Sequence, residues 1–214
     1  VRSPQPGYLL EQDASAFSAS MATNYMGTVH ALKAALPAML GAPPADRRVV
    51  IVSSAAACIG FLGYASYAPT KFAVRALADV VRNELAGAPL TVHIAYPPDT
   101  DTPGFHNEER TKPAENKAMF PLDLYKPQVV ASQLWRVVCA PRAPYHLPSP
   151  DFVNNLLVGS VSAVTPRQRP LLDALSAPLV LLVEAAVVLW IDHVARPYGK
   201  RATERARAVA LKTD

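Results

Sequence analysis

Residues 47–85, RRVVIVSSAAACIGFLGYASYAPTKFAVRALADVVRNEL, are the stretch whose reading decides the fold. Val49, Val50, Ile51 and Val52 form a continuous β-branched run with no polar alternation, the pattern of a parallel strand covered on both faces. The run ends in Ser53-Ser54. A small apolar loop over 55–66 follows, with Gly60 and Gly63, and a helix then opens at about Tyr67. Pro69 suits its first turn, where a missing N–H costs nothing. Its expected inward stripe is Ala73, Leu77, Val80, Val81 and Leu85, and Gly87-Ala88-Pro89 ends it. Leu90 to Ala95, LTVHIA, is a second buried strand. A strand, helix, strand order implies a right-handed crossover and an α/β fold with a parallel sheet.

Tyr67 and Lys71 stand four residues apart on this helix, so the phenol and the ammonium project from one face and can act on one group. The pair alone is a weak signal in a chain with 8 tyrosines, where a half-buried tyrosine and a solvated lysine would read the same. Context strengthens it. Ser54 lies at the carboxyl end of the first strand, where open parallel sheets place their ligands. The second strand stops at Tyr96-Pro97-Pro98-Asp99-Thr100-Asp101-Thr102, a rigid turn that either holds a polar ligand or simply connects.

Working outward, residues 1–14 read as loop. Phe17, Met21, Tyr25, Val29, Leu32, Leu36 and Leu40 keep helical spacings, so one long amphipathic helix is expected, with Ser15 placed to cap it. Asn24 sits inside that helix, as a surface amide or a functional one, and Gly27 invites a close backbone approach. Residues 106–124, rich in Glu and Lys, read as a polar lid or, more simply, a solvated loop. Pro127 opens a further helix with Val130, Leu134, Val137 and Val138 on its apolar face. Residues 174–191, ALSAPLVLLVEAAVVLWI, are apolar except for Glu184 and are followed by Arg196, Lys200, Arg201, Arg205 and Arg207. Spanning a bilayer and lying in its interface both remain open, and the basic tail suits an anionic leaflet or a solvated helix end.

With 214 residues, half of them hydrophobic, the chain can bury one sizeable core. We divide it at 1–150 for the sheet domain and 151–214 for an apolar and basic membrane-associating extension. The net charge of +4 is modest, and its basic residues are not interleaved with aromatics, so nucleic acid is not expected as a partner. Cys58 and Cys139 have neither metal-ligand nor disulfide spacing, so no metal is expected and both read as apolar fillers.

Asn24 in N-Y-M-G, Ser53-Ser54 at a strand end, Tyr67-x-x-x-Lys71 and the turn from Pro97 to Thr102 together resemble the C-terminal part of a short-chain dehydrogenase/reductase. YAPTKFAVRALAD and AYPPDTDTPGF, followed by EERTKP, resemble the 3-ketodihydrosphingosine reductase subfamily within it. Pro98 stands where most of the wider family has Gly, a departure shared with that subfamily. The resemblance implies a Rossmann-like doubly wound parallel sheet, NADPH as cofactor and reduction of a long-chain keto-lipid. It implies Tyr67 as the general acid, Lys71 as the group that lowers its pKa and holds the nicotinamide ribose, and Ser54 as the hydrogen-bond donor to the carbonyl. Asn24 would hold a water linking Lys71 to solvent. Pro97, Thr100 and Thr102 would contact the nicotinamide end. It further implies the endoplasmic reticulum membrane with the active site facing the cytosol, and allows a homo-oligomer.

The sequence contains no G-x-G-x-x-G or T-G-x-x-x-G-x-G turn, which the resemblance places after a first strand. We expect a fragment of a longer reductase, with little activity alone and an exposed apolar sheet edge. Two alternatives stay open: a membrane-associated reductase of another lipid ketone, such as a steroid or retinoid, and a non-catalytic membrane scaffold.

Overall fold

The computed structural model describes residues 5–42, 45–119 and 123–161, together with positions 178, 182, 186, 189, 190 and 193. The β-branched run forms β1 (Arg48–Val52) and LTVHIA forms β2 (Thr91–Ala95). They pair in parallel, with Val50 opposite His93 and Ile51 opposite Ile94. A third parallel strand, β3 (His146–Leu147), adds to the other side of β2. Two residues are too few to leave a periodic signal, and β3 was not read from the sequence.

The helices follow in chain order. The expected long helix is interrupted: α1 (Ala14–Ser20) runs into a π-helical turn over Met21–Met26, and α2 (Gly27–Gly41) continues beyond it. The Gly27 N–H reaches back to the Ala22 carbonyl, five residues away, the wider ring of a π-bulge. Two expectations fail here. Ser15 is not the cap, since Asp13 takes that place without a side-chain cap bond. Gly27 accommodates no close neighbour, because a Cβ there would meet only Ala22 O at 3.9 Å.

The helix after the strand is α3 (Ala68–Glu84), with Pro69 in its first turn. Its buried stripe is Ala68, Thr70, Val74, Ala78 and Val81, one position round from the expected one, while Val80 stays exposed. The crossing of α3 over the sheet sets which line faces inward, and helical spacing alone leaves that angle open. Val74, Ala78 and Val81 pack with Ile51, Val92, Ile94 and Tyr96 into the main core.

The stretch after β2 is helical rather than a solvated loop: α4 (Pro103–Thr111) and α5 (Ala114–Met119). Pro127 opens α6 (Pro127–Val138), whose Val130 and Val138 are buried as expected. Finally α7 (Phe152–Val161) contributes Val158 to the main core. Cys58 packs against that core, and burial pushes its thiol up to about 11, which suits an inert filler. Cys139 is exposed, since it caps the end of α6 instead of filling space. Most of the apolar run 174–191 and the basic tail lie outside the described residues. Among the described residues no helix is long and apolar enough to cross a membrane.

Candidate active site

The carboxyl ends of β1 and β2 open into a cavity of about 390 Å³, whose wall includes Ser54, Tyr67, Pro97, Thr100 and Thr102. Each gets there by a local rule. Ser54, in extended backbone directly after β1, caps the 3-10 turn Ala55–Ala57 by accepting the Ala56 N–H at 3.2 Å. Thr102 caps α4 by accepting the Phe105 N–H at 3.2 Å, and the Thr100 hydroxyl donates to the Pro98 carbonyl at 2.7 Å. Both threonines hold the turn rigid and keep further hydrogen-bonding capacity toward the cavity.

Tyr67 immediately precedes α3, and its phenol lies beside the Ser54 hydroxyl. Burial raises its pKa, the Ser54 hydroxyl opposes this, and the charges of Glu108 and Asp99 add to the rise. This reverses the expected lowering by Lys71. The ammonium lies over the face of the Tyr67 ring, 5.6 Å from its centroid, and not at the hydroxyl. Burial lowers the Lys71 pKa, and among the described residues no hydrogen bond or ion pair engages Nζ. A desolvated ammonium without an acceptor is unfavourable on its own and fits a ligand bearing hydroxyl groups.

Asn24 does not line the cavity. The π turn aims its amide at α3, where Nδ2 donates to Thr70 Oγ1 at 2.9 Å. Thr70 in turn donates to the Tyr67 carbonyl at 2.7 Å. Asn24 is therefore tied through one buried hydroxyl to the first turn of α3, between Tyr67 and Lys71. The Ser53 hydroxyl fixes the same turn from the sheet side by donating to the Lys71 carbonyl at 3.2 Å.

This geometry has relatives. A family profile for short chain dehydrogenases matches residues 4–113, just over half of the 214. The chain belongs to the short-chain dehydrogenase family. The 3-ketodihydrosphingosine reductase of Dictyostelium discoideum is 35% identical over 185 residues, which is 83% of this chain and 53% of that protein. The reductase of the same name from Bos taurus is 39% identical over 132 residues, 60% of this chain and 38% of that protein. The chain thus spans about half the length, or less, of these curated relatives. A short-chain dehydrogenase from Burkholderia cenocepacia, solved in complex with NADP, superposes with a TM-score of 0.58 at 18% identity, over 76% of this chain and 63% of that one. That is a likeness of fold, in keeping with the Rossmann-like arrangement of parallel strands and helices.

Sequence reasoning missed the part of the cavity wall that α4 supplies. Phe105, Glu108 and Lys112 stand on one helical face and line the cavity. Tyr64, whose ring lies 5.9 Å from that of Tyr67, donates its hydroxyl to Glu108 Oε1. Lys112 pairs with Glu109 and lies 3.9 Å from Glu108. Asn116 on α5 donates to the Leu62 carbonyl at 2.7 Å, and Tyr8 donates to Glu115 at 2.5 Å, so α5 is held against the site. The available signal was the 105/108/112 spacing, which a composition rich in Glu and Lys disguises as a solvated face.

Proposed function

We propose that the full-length protein reduces the keto group of 3-ketodihydrosphingosine to dihydrosphingosine with NADPH. The observation that carries this is a cavity wall that brings Ser54 and Tyr67 together, with the Lys71 ammonium over the Tyr67 ring, in a chain 35% identical to a reductase of that name over 83% of its length. The residues present suit the nicotinamide half of such a cofactor. Among the described residues the Lys71 Nζ–H donors have no acceptor and could serve ribose hydroxyls, while the Pro97 to Thr102 turn would border the nicotinamide. No residue here matches a glycine-rich holder for the pyrophosphate.

The bound cofactor supplies the hydride. The chain supplies the proton and the geometry. Ser54 Oγ donates a hydrogen bond to the substrate carbonyl oxygen and polarises it. Tyr67 Oη gives its proton to the same oxygen as charge develops there, and its raised pKa keeps the phenol protonated at neutral pH until that moment. Lys71 would hold the cofactor sugar, and it places positive charge beside the Tyr67 ring. Asn24 is a positioning residue, acting through Thr70 on the start of α3.

We further propose attachment to the endoplasmic reticulum membrane, with the site facing the cytosol. Support comes from the apolar run 174–191, the basic residues after it, and a substrate that is itself an amphiphile.

The decisive assay follows NADPH oxidation and dihydrosphingosine formation by the full-length protein. Tyr67→Phe should abolish turnover while cofactor affinity stays within about threefold, since a phenol acting as acid is worth about 10²-fold or more. Retained turnover in that variant would overturn its acid role. Turnover of a steroid or retinoid ketone in preference to the sphingoid would replace the substrate reading.

A further inference from the structure

We infer that Glu108 reads the amino group of the substrate: its carboxylate receives the ammonium of a 2-amino ketone and selects such substrates over ketones that lack the amine. The inference rests on the reductase reading above for the position of the ketone, and deepens it.

The argument starts from what Glu108 lacks. Its side chain is 15% exposed, and a carboxylate this far from water requires partners. Only one of its oxygens has them. Oε1 accepts the Tyr64 hydroxyl and lies 3.9 Å from Lys112 Nζ, while the shorter contact of Lys112 goes to Glu109. Oε2 takes no hydrogen bond among the described residues and keeps some contact with solvent, in a residue that lines the cavity. Asp99, in the same wall, likewise receives no hydrogen bond on its carboxylate among the described residues. Tyr64 fixes the Glu108 side chain in place, so the open oxygen is held rather than free to turn away.

The surroundings select the ligand charge. Four carboxylates and one ammonium line the cavity, which leaves it negative even with Lys112 counted. A neutral ketone gains nothing from that field; a cation does. Position then selects the kind of cation: Tyr64, which holds Glu108, has its ring 5.9 Å from that of Tyr67. The charges of Glu108 and Asp99 are felt by the Tyr67 phenol, so they reach the place where a carbonyl oxygen would accept its proton. In a 2-amino ketone the amine-bearing carbon is bonded directly to the carbonyl carbon. An ammonium placed there lies between the developing oxyanion and Glu108, where it neutralises the carboxylate field that otherwise opposes charge on Tyr67. Burial raises Glu108 and Asp99 in the protein alone, and a cationic partner offsets that cost.

The test uses the full-length protein with NADPH and three ketones: 3-ketodihydrosphingosine, its N-acetyl derivative, and the analogue lacking the amine. The wild type should favour the free amine in kcat/KM by about tenfold or more, the worth of one charge-assisted hydrogen bond. Glu108→Gln should bring that ratio close to one, and Glu108→Asp should keep part of it. The ratio is the readout, because general damage to the fold lowers all three rates together. Asp99→Asn should reduce the ratio less. A wild type that treats the three ketones alike, or a Glu108→Gln variant with the wild-type ratio, overturns the inference. If the wild type reduces none of them, the reductase reading fails instead. Calorimetric binding of dihydrosphingosine against its N-acetyl derivative then decides the role of Glu108 separately: a preference for the amine that Glu108→Gln abolishes upholds it, and equal binding overturns it.

Discussion

Thr70→Val removes one hydroxyl at nearly constant volume, and that hydroxyl joins the π turn to the first turn of α3. Thr70 is 1% exposed, accepts the Asn24 amide at 2.9 Å and donates to the Tyr67 carbonyl at 2.7 Å. The two losses differ. The Tyr67 carbonyl still accepts the Thr70 N–H at 2.9 Å, so losing the hydroxyl there costs about 1 kcal/mol. The Asn24 amide is left facing a methyl group, and an orphaned donor costs about 1–2 kcal/mol more when part of it can still reach water. The sum is about 2–3 kcal/mol, measurable by urea unfolding of the full-length protein. A cycle with Asn24→Ala isolates the shared bond: the double variant should be less damaged than the two single changes summed, by about 1 kcal/mol. Turnover should fall by about tenfold, mainly in kcat, because Tyr67 and Lys71 sit either side of the loosened point. Thr70→Val within about 0.5 kcal/mol of wild type, or strict additivity with Asn24→Ala, would refute the strut.

Other outcomes follow from the same structure. Gly63 has φ +84°, and a Cβ there would stand 2.7 Å from Pro113 Cγ at the start of α5; Gly63→Ala should cost about 2 kcal/mol and increase proteolytic cleavage near residues 111–119. Lys71→Met should leave thermal stability unchanged or higher, since it removes a desolvated cation with no acceptor, while NADPH affinity drops at least about tenfold. His146 is 1% exposed and burial lowers its pKa to about 4. The unfolded chain, titrating near 6.5, therefore binds more protons between those values, and stability falls as pH drops through that window. Unfolding free energy should be about 2 kcal/mol lower at pH 5 than at pH 7 from this group alone. His146→Gln should flatten that part of the slope.

Much of the frame was legible because it is written locally. The continuous β-branched run, the short apolar LTVHIA and the helical spacing between them are local signals of strand, strand and helix, and β1, β2 and α3 follow within a residue or two. Residues 106–124 were not legible. Their Glu and Lys composition is that of a solvated face, yet Asn116 to Leu62 and Tyr8 to Glu115 pull them against the site across more than 50 residues of chain. The interrupted helix shows a middle case. Asn24 and Gly27 marked a costly point inside it, but the π turn depends on an amide finding Thr70, 46 residues away.

The sequence by itself determined a parallel α/β core and set Ser54 at a strand end and Tyr67 four residues before Lys71, because strand ends and i, i+4 spacing are set by neighbours along the chain. Only the tertiary structure decided how they are tuned. It put the Lys71 ammonium over the Tyr67 ring and buried the phenol beside Glu108 and Asp99, which raised its pKa instead of lowering it. Desolvation and field depend on what packs around a group, and that comes from segments distant in sequence.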